Sequence, residues 1–170
     1  MIKPIETDIA RQQHKTTNNL FPVFIKLEEL PVLIVGGGNV GLEKLHAVLH
    51  NAPATRVKLV ASSINEAIHH IAQKHPNVEL VTKDFDHSDI VGQDIIIIAV
   101  NDPATSRFIR DEAKAQGKLV NVADQPDLCD FYLSSVVQKG NLKIAISTNG
   151  KSPTAAKGIK EVLNDALPGE

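Results

Sequence analysis

The stretch VLIVGGGNVGLEK, residues 32–44, decides the fold. Val32, Leu33, Ile34 and Val35 run without a break into Gly36, Gly37 and Gly38, after which Asn39, Val40 and Gly41 lead into a helical pattern. A short unbroken apolar run ending in glycines reads as a buried strand that turns tightly into a helix. Gly36, Gly38 and Gly41 fit the spacing G-x-G-x-x-G. In that arrangement the first glycine makes the turn, the second lets a pyrophosphate approach the backbone, and the third lets helix pack on strand. The helix start then offers phosphates its free N–H groups and the positive end of its dipole. Alone the motif is weak, because a glycine turn also serves merely to pack strand on helix. Its weight comes from the pattern on either side.

On the C-terminal side, Val40, Leu45, Val48 and Leu49 recur at helical spacing until Asn51-Ala52-Pro53 ends the helix. Residues 56–61 read as a second strand, and Ile64, Ala67, Ile68 and Ile71 as the apolar stripe of a second helix, broken at Pro76-Asn77. Residues 78–81 form a third strand, and 84–92 a polar connection with at most a helical turn. Residues 94–100 form a fourth strand, apolar enough to be buried on both faces. Pro103 opens a helix running to Gln116, closed by Gly117, and residues 118–123 are a fifth strand. Strands alternating with helices at this spacing predict a parallel sheet with right-handed crossovers.

On the N-terminal side, residues 1–19 are polar and without a steady period, which predicts a mobile leader. Residues 20–27, LFPVFIKL, carry Pro22 and suit an edge segment or a lid over the first strand, with Phe21 and Phe24 closing one end of the core. Beyond Pro126 the alternation stops. Residues 131–137 and 141–147 read as a hairpin joined at Lys139-Gly140, followed by a helix with Ser152 as N-cap and Pro153 at its first position. Such a segment cannot bury both faces alone, so it is expected to pack on a second copy of the chain. The predicted class is α/β. A Rossmann-type parallel sheet that binds a dinucleotide fills residues 20–125, and a small α+β dimerisation segment fills residues 126–170.

Composition excludes several functions. A net charge of −2 over 170 residues, with five Phe and one Tyr, offers nucleic acid neither attraction nor stacking. The single cysteine, Cys129, forms no intrachain disulfide, and no signal-peptide pattern opens the chain. The longest strongly apolar run, residues 95–100, is too short to span a bilayer. These features predict a soluble, cytoplasmic protein with no membrane contact.

Parallel sheets bind ligands beyond the carboxyl ends of their strands. The candidate dinucleotide contacts are therefore Gly36, Gly38, Asn39, Val40 and Gly41, then Ser62 and Ser63, then Val100 and Asn101. An acidic residue roughly 20 positions beyond the glycines usually holds the ribose of NAD; here that place holds Ala61-Ser62-Ser63, which leaves NAD and NADP both open. Asp124 ends the fifth strand, where its carboxylate suits taking up a proton released from a substrate. Asp124-Gln125-Pro126 equally suits an Asx-turn that stops the strand, and position alone favours that reading.

Residues 131–160 contain five lysines, Lys139, Lys143, Lys151, Lys157 and Lys160, and no acidic residue, so a charge of +5 stands against −7 elsewhere. That pattern fits a solvated or interfacial face, or attraction of a polyanionic ligand. Residues 145–152, AISTNGKS, match a phosphate loop only loosely, and suit a polar loop offering N–H groups at a helix start. Glu43, His46 and His50 share a helix face without a second ligand cluster, so no metal is expected. Cys129, with no basic neighbour in sequence, reads as a small buried apolar residue.

The segments LFPVFIKL, VLIVGGGNVGLEK, LVNVADQPDLCDFY and KIAISTNGKSPTAAKGIKEVL, in this order, resemble the precorrin-2 dehydrogenase family, the NAD-dependent part of siroheme synthase. The likeness runs from Leu20 to about Leu167. It implies a Rossmann domain followed by a dimerisation segment, and a homodimer that oxidises precorrin-2, a polycarboxylate tetrapyrrole, to sirohydrochlorin with reduction of NAD, on the way to siroheme. The family's NAD contacts fall on Asn39, Val40, Ser62, Ser63, Val100 and Asn101, and its functional aspartate on Asp124, which reverses the reading from position alone. Some members also insert iron. Members usually continue into a further helical region over the tetrapyrrole site, which is expected to be absent here and with it strong ferrochelatase activity. The remaining alternative is a non-catalytic dinucleotide-binding module whose lysine-rich segment serves as an oligomer interface.

Overall fold

The computed structural model describes residues 18–168, so the predicted leader lies outside the described residues but for Asn18 and Asn19. The chain divides into two compact units, Ile25–Leu133 and a second made of Met1–Phe24 with Ser134–Glu170.

The first unit is built on a five-stranded parallel sheet. In chain order its elements are β1 (Val32–Val35), α1 (Asn39–Asn51), β2 (Val57–Ala61), α2 (Glu66–Lys74), β3 (Val78–Thr82), β4 (Ile95–Ile98), α3 (Pro103–Ala115) and β5 (Leu119–Val122). The strand order is β3-β2-β1-β4-β5 with every pairing parallel. The chain thus works outward from β1 to one edge, returns, and works outward to the other. That reversal opens a crevice beyond the carboxyl ends of β1 and β4.

The two-residue period of the strands explains the layering. Val32, Ile34, Leu59 and Ile97 face a core closed by Leu45, Val48 and Leu49 of α1 and Ile68 of α2. Leu33, Val35, Val60 and Ile98 face a second core closed by Ile109 and Ala113 of α3. Both faces of β1 and β4 are buried, which is why both read as unbroken apolar runs.

The connection from β3 to β4 has no helix of its own, only a 3-10 turn, His87–Ile90, whose Ile90 is fully buried. Asp86 and Asp89 form a reciprocal capping box on this turn. Asp89 is 2% exposed and receives Lys58 Nζ at 2.7 Å and Lys83 Nζ at 2.9 Å. These bonds tie the loop after β3 to the body of β2.

The β5 edge is covered by the chain's own return. After Val122 the backbone reverses at Asp124, whose φ is +59°. Asp130 N–H then donates to Val120 O at 2.7 Å, and Val120 N–H donates to the Asp130 carboxylate at 2.9 Å. Beside them the Cys129 thiol takes Val122 N–H at 3.1 Å and donates to Val122 O at 3.2 Å. A thiol and a carboxylate thus satisfy strand-edge groups that would otherwise template pairing with another chain. Asn121 adds a bond from Nδ2 to Phe131 O at 2.9 Å. These bonds account for residues 126–133 belonging with the sheet unit.

The second unit consists of an antiparallel hairpin, β6 (Ser135–Lys139) and β7 (Leu142–Ile146), and α4 (Pro153–Ala166). Ser152 caps α4 through a bond from Ala155 N–H to its Oγ, with Pro153 in the first turn as predicted. Among the described residues of this unit only Val137 and Ala156 are buried.

Some expectations need correction. The first hairpin strand starts at Ser135 rather than Phe131, because Asn121 and Asp130 hold the preceding residues along β5. Within residues 20–27, Phe21 and Phe24 are 86% and 71% exposed rather than closing the core.

Candidate functional site

A cleft of about 560 Å³ opens beyond the carboxyl ends of β2, β1 and β4. Gly36, Gly38, Asn39 and Val40 line its floor, Ser62 and Ser63 one end, and Val100 and Asn101 the other. Eight of the predicted site residues therefore meet in one concavity. Gly41 and Asp124 do not line it.

Each glycine of the motif has a separate physical task. Gly36 has φ +122°, and a Cβ there would lie 2.7 Å from the Ala99 carbonyl carbon, so only glycine lets β1 turn beneath the end of β4. A Cβ on Gly41 would fall on the Gly36 carbonyl, 2.9 Å from its carbon, so Gly41 supports the turn from below. A Cβ on Gly38 would meet no atom within 4 Å. The space it leaves belongs to the cleft, where a ligand's phosphates would approach the backbone.

The helix starts differ in the same sense. α2, α3 and α4 are capped by the side chains of Asn65, Asp102 and Ser152. α1 starts at Gly38, and no side chain caps it. Its first N–H groups are left for an anion, which is the fit expected for a dinucleotide's diphosphate. Around them, Asn65 N–H holds Gly37 O at 2.8 Å and Asn65 Nδ2 reaches Asn39 Oδ1 at 3.1 Å, which braces the loop.

Asp124 stands on the same edge of the sheet, beyond β5. Ala123 N–H donates to Ile98 O at 2.9 Å, so Asp124 follows directly beside the end of β4, on the side of the cleft where Val100 and Asn101 lie. The turn is made by the backbone, through Gln125 N–H to Val122 O at 3.3 Å. No described group donates to the Asp124 carboxylate, so the anticipated Asx-turn bond is not formed. Asp124 is thus an exposed aspartate at positive φ, a conformation that Asp tolerates in turns.

Asp84, Phe85 and Thr105 are among the cleft residues that were not legible as such in the sequence. Asp84 and Phe85 lie in what read as a featureless polar connection. Lys83 N–H donates to Ala61 O at 3.0 Å, and this brings Asp84 beside Ser62. An acid two residues past a strand end that neighbours the first candidate position is the signal that would have found it.

Elsewhere, the loop before α4 closes on itself, with Asn149 and Gly150 at φ +55° and +71° and Ser152 N–H donating to Thr148 Oγ1 at 3.2 Å. Among the described residues no group of three or more His, Cys, Asp or Glu side chains is arranged to hold a metal. No described helix is long and apolar enough to cross a membrane.

The fold and the cleft together define a Rossmann-type dinucleotide-binding protein. Residues 23–135 match a family model described as "Putative NAD(P)-binding", and residues 139–166 match one described as "Sirohaem biosynthesis protein central". The siroheme synthase of Methylococcus capsulatus is 36% identical over 147 residues, 86% of this chain and 30% of its own length. That of Actinobacillus pleuropneumoniae serotype 7 is 33% identical over 150 residues, 88% of this chain and 30% of its own length. The solved structure titled "SirC, precorrin-2 dehydrogenase" superposes with a TM-score of 0.73 at 27% identity, covering 88% of this chain and 71% of that one. The chain belongs to the family described as putative NAD(P)-binding, and it is similar to siroheme synthases and to a precorrin-2 dehydrogenase. It spans about 30% of the length of the siroheme synthases it matches.

Proposed function

We propose that the protein is an NAD-dependent dehydrogenase that oxidises precorrin-2 to sirohydrochlorin. One observation carries this reading: a single edge of the sheet gathers the glycine turn, Ser62 and Ser63, Val100 and Asn101 into one cleft, with Asp124 beside it. The similarity to siroheme synthases and to a precorrin-2 dehydrogenase supports the choice of substrate.

NAD, when bound, supplies the hydride acceptor. The uncapped start of α1, with Asn39 and Val40, receives the diphosphate. Ser62 and Ser63 receive the adenosine ribose, because β2 lies on that side of β1. Val100 and Asn101 flank the nicotinamide half on the β4 side. Oxidation removes a hydride from the tetrapyrrole and leaves a proton to be taken up, and the Asp124 carboxylate, free of competing bonds, is the group assigned to receive it.

The substrate's carboxylates account for the lysine-rich segment of residues 131–160. Among its described residues the second unit has only two buried apolar side chains and exposes Phe21, Phe24, Ile159 and Val162, a combination that fits dimerisation through this unit.

The test is NADH formation, followed at 340 nm, on adding precorrin-2 and NAD+ without oxygen. Asp124→Asn keeps a residue that tolerates positive φ but removes the base. It should leave NAD+ affinity and the melting temperature unchanged while turnover falls by about 100-fold or more. Undiminished turnover in that variant would remove Asp124 from the mechanism, and no NADH from the unaltered protein would remove the proposed activity.

A further inference from the structure

We infer that Asp84 selects NAD over NADP, doing from the end of β3 what a carboxylate at the end of β2 ordinarily does. The inference rests on the proposal that the cleft binds a dinucleotide. The expected position for an acid, just past β2, holds Ser62 and Ser63. A serine hydroxyl bonds a ribose hydroxyl but tolerates a phosphate equally well, so the serines alone leave the two cofactors undistinguished.

Three features of the site bear on the choice. Ala61 of β2 is paired with Thr82 of β3, and Lys83 N–H donates to Ala61 O at 3.0 Å, so Asp84 flanks the cleft at its Ser62 end. Among the described residues that line the cleft, Asp84 has the only ionisable side chain. The nearest cation in sequence, Lys83, is occupied by Asp86 at 2.7 Å and Asp89 at 2.9 Å. That end of the cleft therefore holds a carboxylate and two hydroxyls, with no cation committed to a phosphate.

The consequence follows from charge. The 2′- and 3′-hydroxyls of NAD donate hydrogen bonds to a carboxylate, and such charge-assisted bonds are the stronger kind. NADP has a 2′-phosphate there, close to doubly charged at neutral pH. It would lose the donor and meet a like charge.

The experiment measures NAD+ and NADP+ affinities by titration calorimetry on the full chain, unaltered and as Asp84→Ala and Asp84→Arg. ADP-ribose and its 2′-phosphate serve as probes that lack the nicotinamide but keep this end of the dinucleotide. The unaltered protein should bind NAD+ at least about tenfold more tightly than NADP+, the worth of one charge-assisted hydrogen bond. Asp84→Ala should erase most of that ratio, chiefly by weakening NAD+ and ADP-ribose. Asp84→Arg should invert it, because a guanidinium pairs with phosphate. Asp84 is exposed, so both variants should melt with the unaltered protein. A ratio within about twofold of the original in both variants, with both dinucleotides still bound, would overturn the role of Asp84 and leave the cleft's function standing. Failure of the unaltered protein to bind either dinucleotide would instead overturn the dinucleotide reading itself, and the selectivity with it.

Discussion

Gly38 and Gly41 belong to one motif, yet a methyl group on each should do different damage. On Gly41 the added carbon would lie 2.9 Å from the Gly36 carbonyl carbon, and nearer still to its oxygen. Ordinary carbon–carbon contact begins at about 3.5 Å. Both partners are backbone, so no side chain can rotate away, and the start of α1 must recede by on the order of 1 Å. Overpacking of that kind costs about 1–3 kcal/mol, which for a chain of this size lowers the melting temperature by roughly 2–10 °C. It also moves the N–H groups that would hold the diphosphate, so NAD+ affinity should fall as well. On Gly38 the carbon meets nothing within 4 Å in the free protein, and φ there is −86°, an ordinary value. Gly38→Ala should therefore cost only the poorer N-cap that alanine makes, about 1 kcal/mol or roughly 2–4 °C. It should nonetheless bind NAD+ at least about tenfold more weakly, because the methyl fills the phosphates' approach. Melting followed by circular dichroism without ligand, with titration of NAD+ in parallel, separates the two effects. The reasoning fails if Gly41→Ala melts with the unaltered protein, or if Gly38→Ala binds NAD+ as tightly as before.

Other consequences follow from the charged and sulfur groups. Burial works against the charge on Asp89, but bonds from Lys58, Lys83 and Asp86 N–H together outweigh it and hold the carboxyl below its usual value. A folded pKa below the unfolded one contributes stability that is present above about pH 4 and lost as pH falls through the folded value. Asp89→Asn should cost about 2 kcal/mol at pH 7, less than a fully buried pair, because Lys58 and Lys83 keep 23% and 35% exposure and rehydrate. Urea unfolding should show that gap narrowing at pH 3, and a gap that does not change with pH would contradict the linkage. Burial pushes the Cys129 thiol up against the weaker effect of its bond from Val122 N–H. At pH 8 an aromatic disulfide reagent should label it far more slowly in the folded chain than in urea, and equal rates would mean the β5 edge is not closed as described. Cys129→Ala should cost about 1 kcal/mol by stranding the Val122 N–H, whereas Val122 O keeps its bond from Gln125 N–H, and Cys129→Ser should cost less.

Much of this architecture is legible along the chain because its signals are local. Residues 32–41 specify a buried strand, a glycine turn and an uncapped helix through burial and backbone geometry alone. Pro103 behind Asp102, and Pro153 behind Ser152, mark helix starts for equally local reasons. The order of strands and helices then determines which residues lie beyond strand ends. For that reason Ser62, Ser63, Val100 and Asn101 are found without knowing a single distance. What remained hidden depended on neighbours far away in sequence. Asp84 gained meaning only when β3 paired with β2. Cys129 became an edge-closing group only when the chain doubled back along β5. The Asp124 carboxylate proved unbonded only when the backbone was seen to make the turn without it. A sequence reports what each residue does to its own backbone and to its burial, whereas charge selection and the sharing of hydrogen bonds belong to pairs that only the tertiary structure brings together.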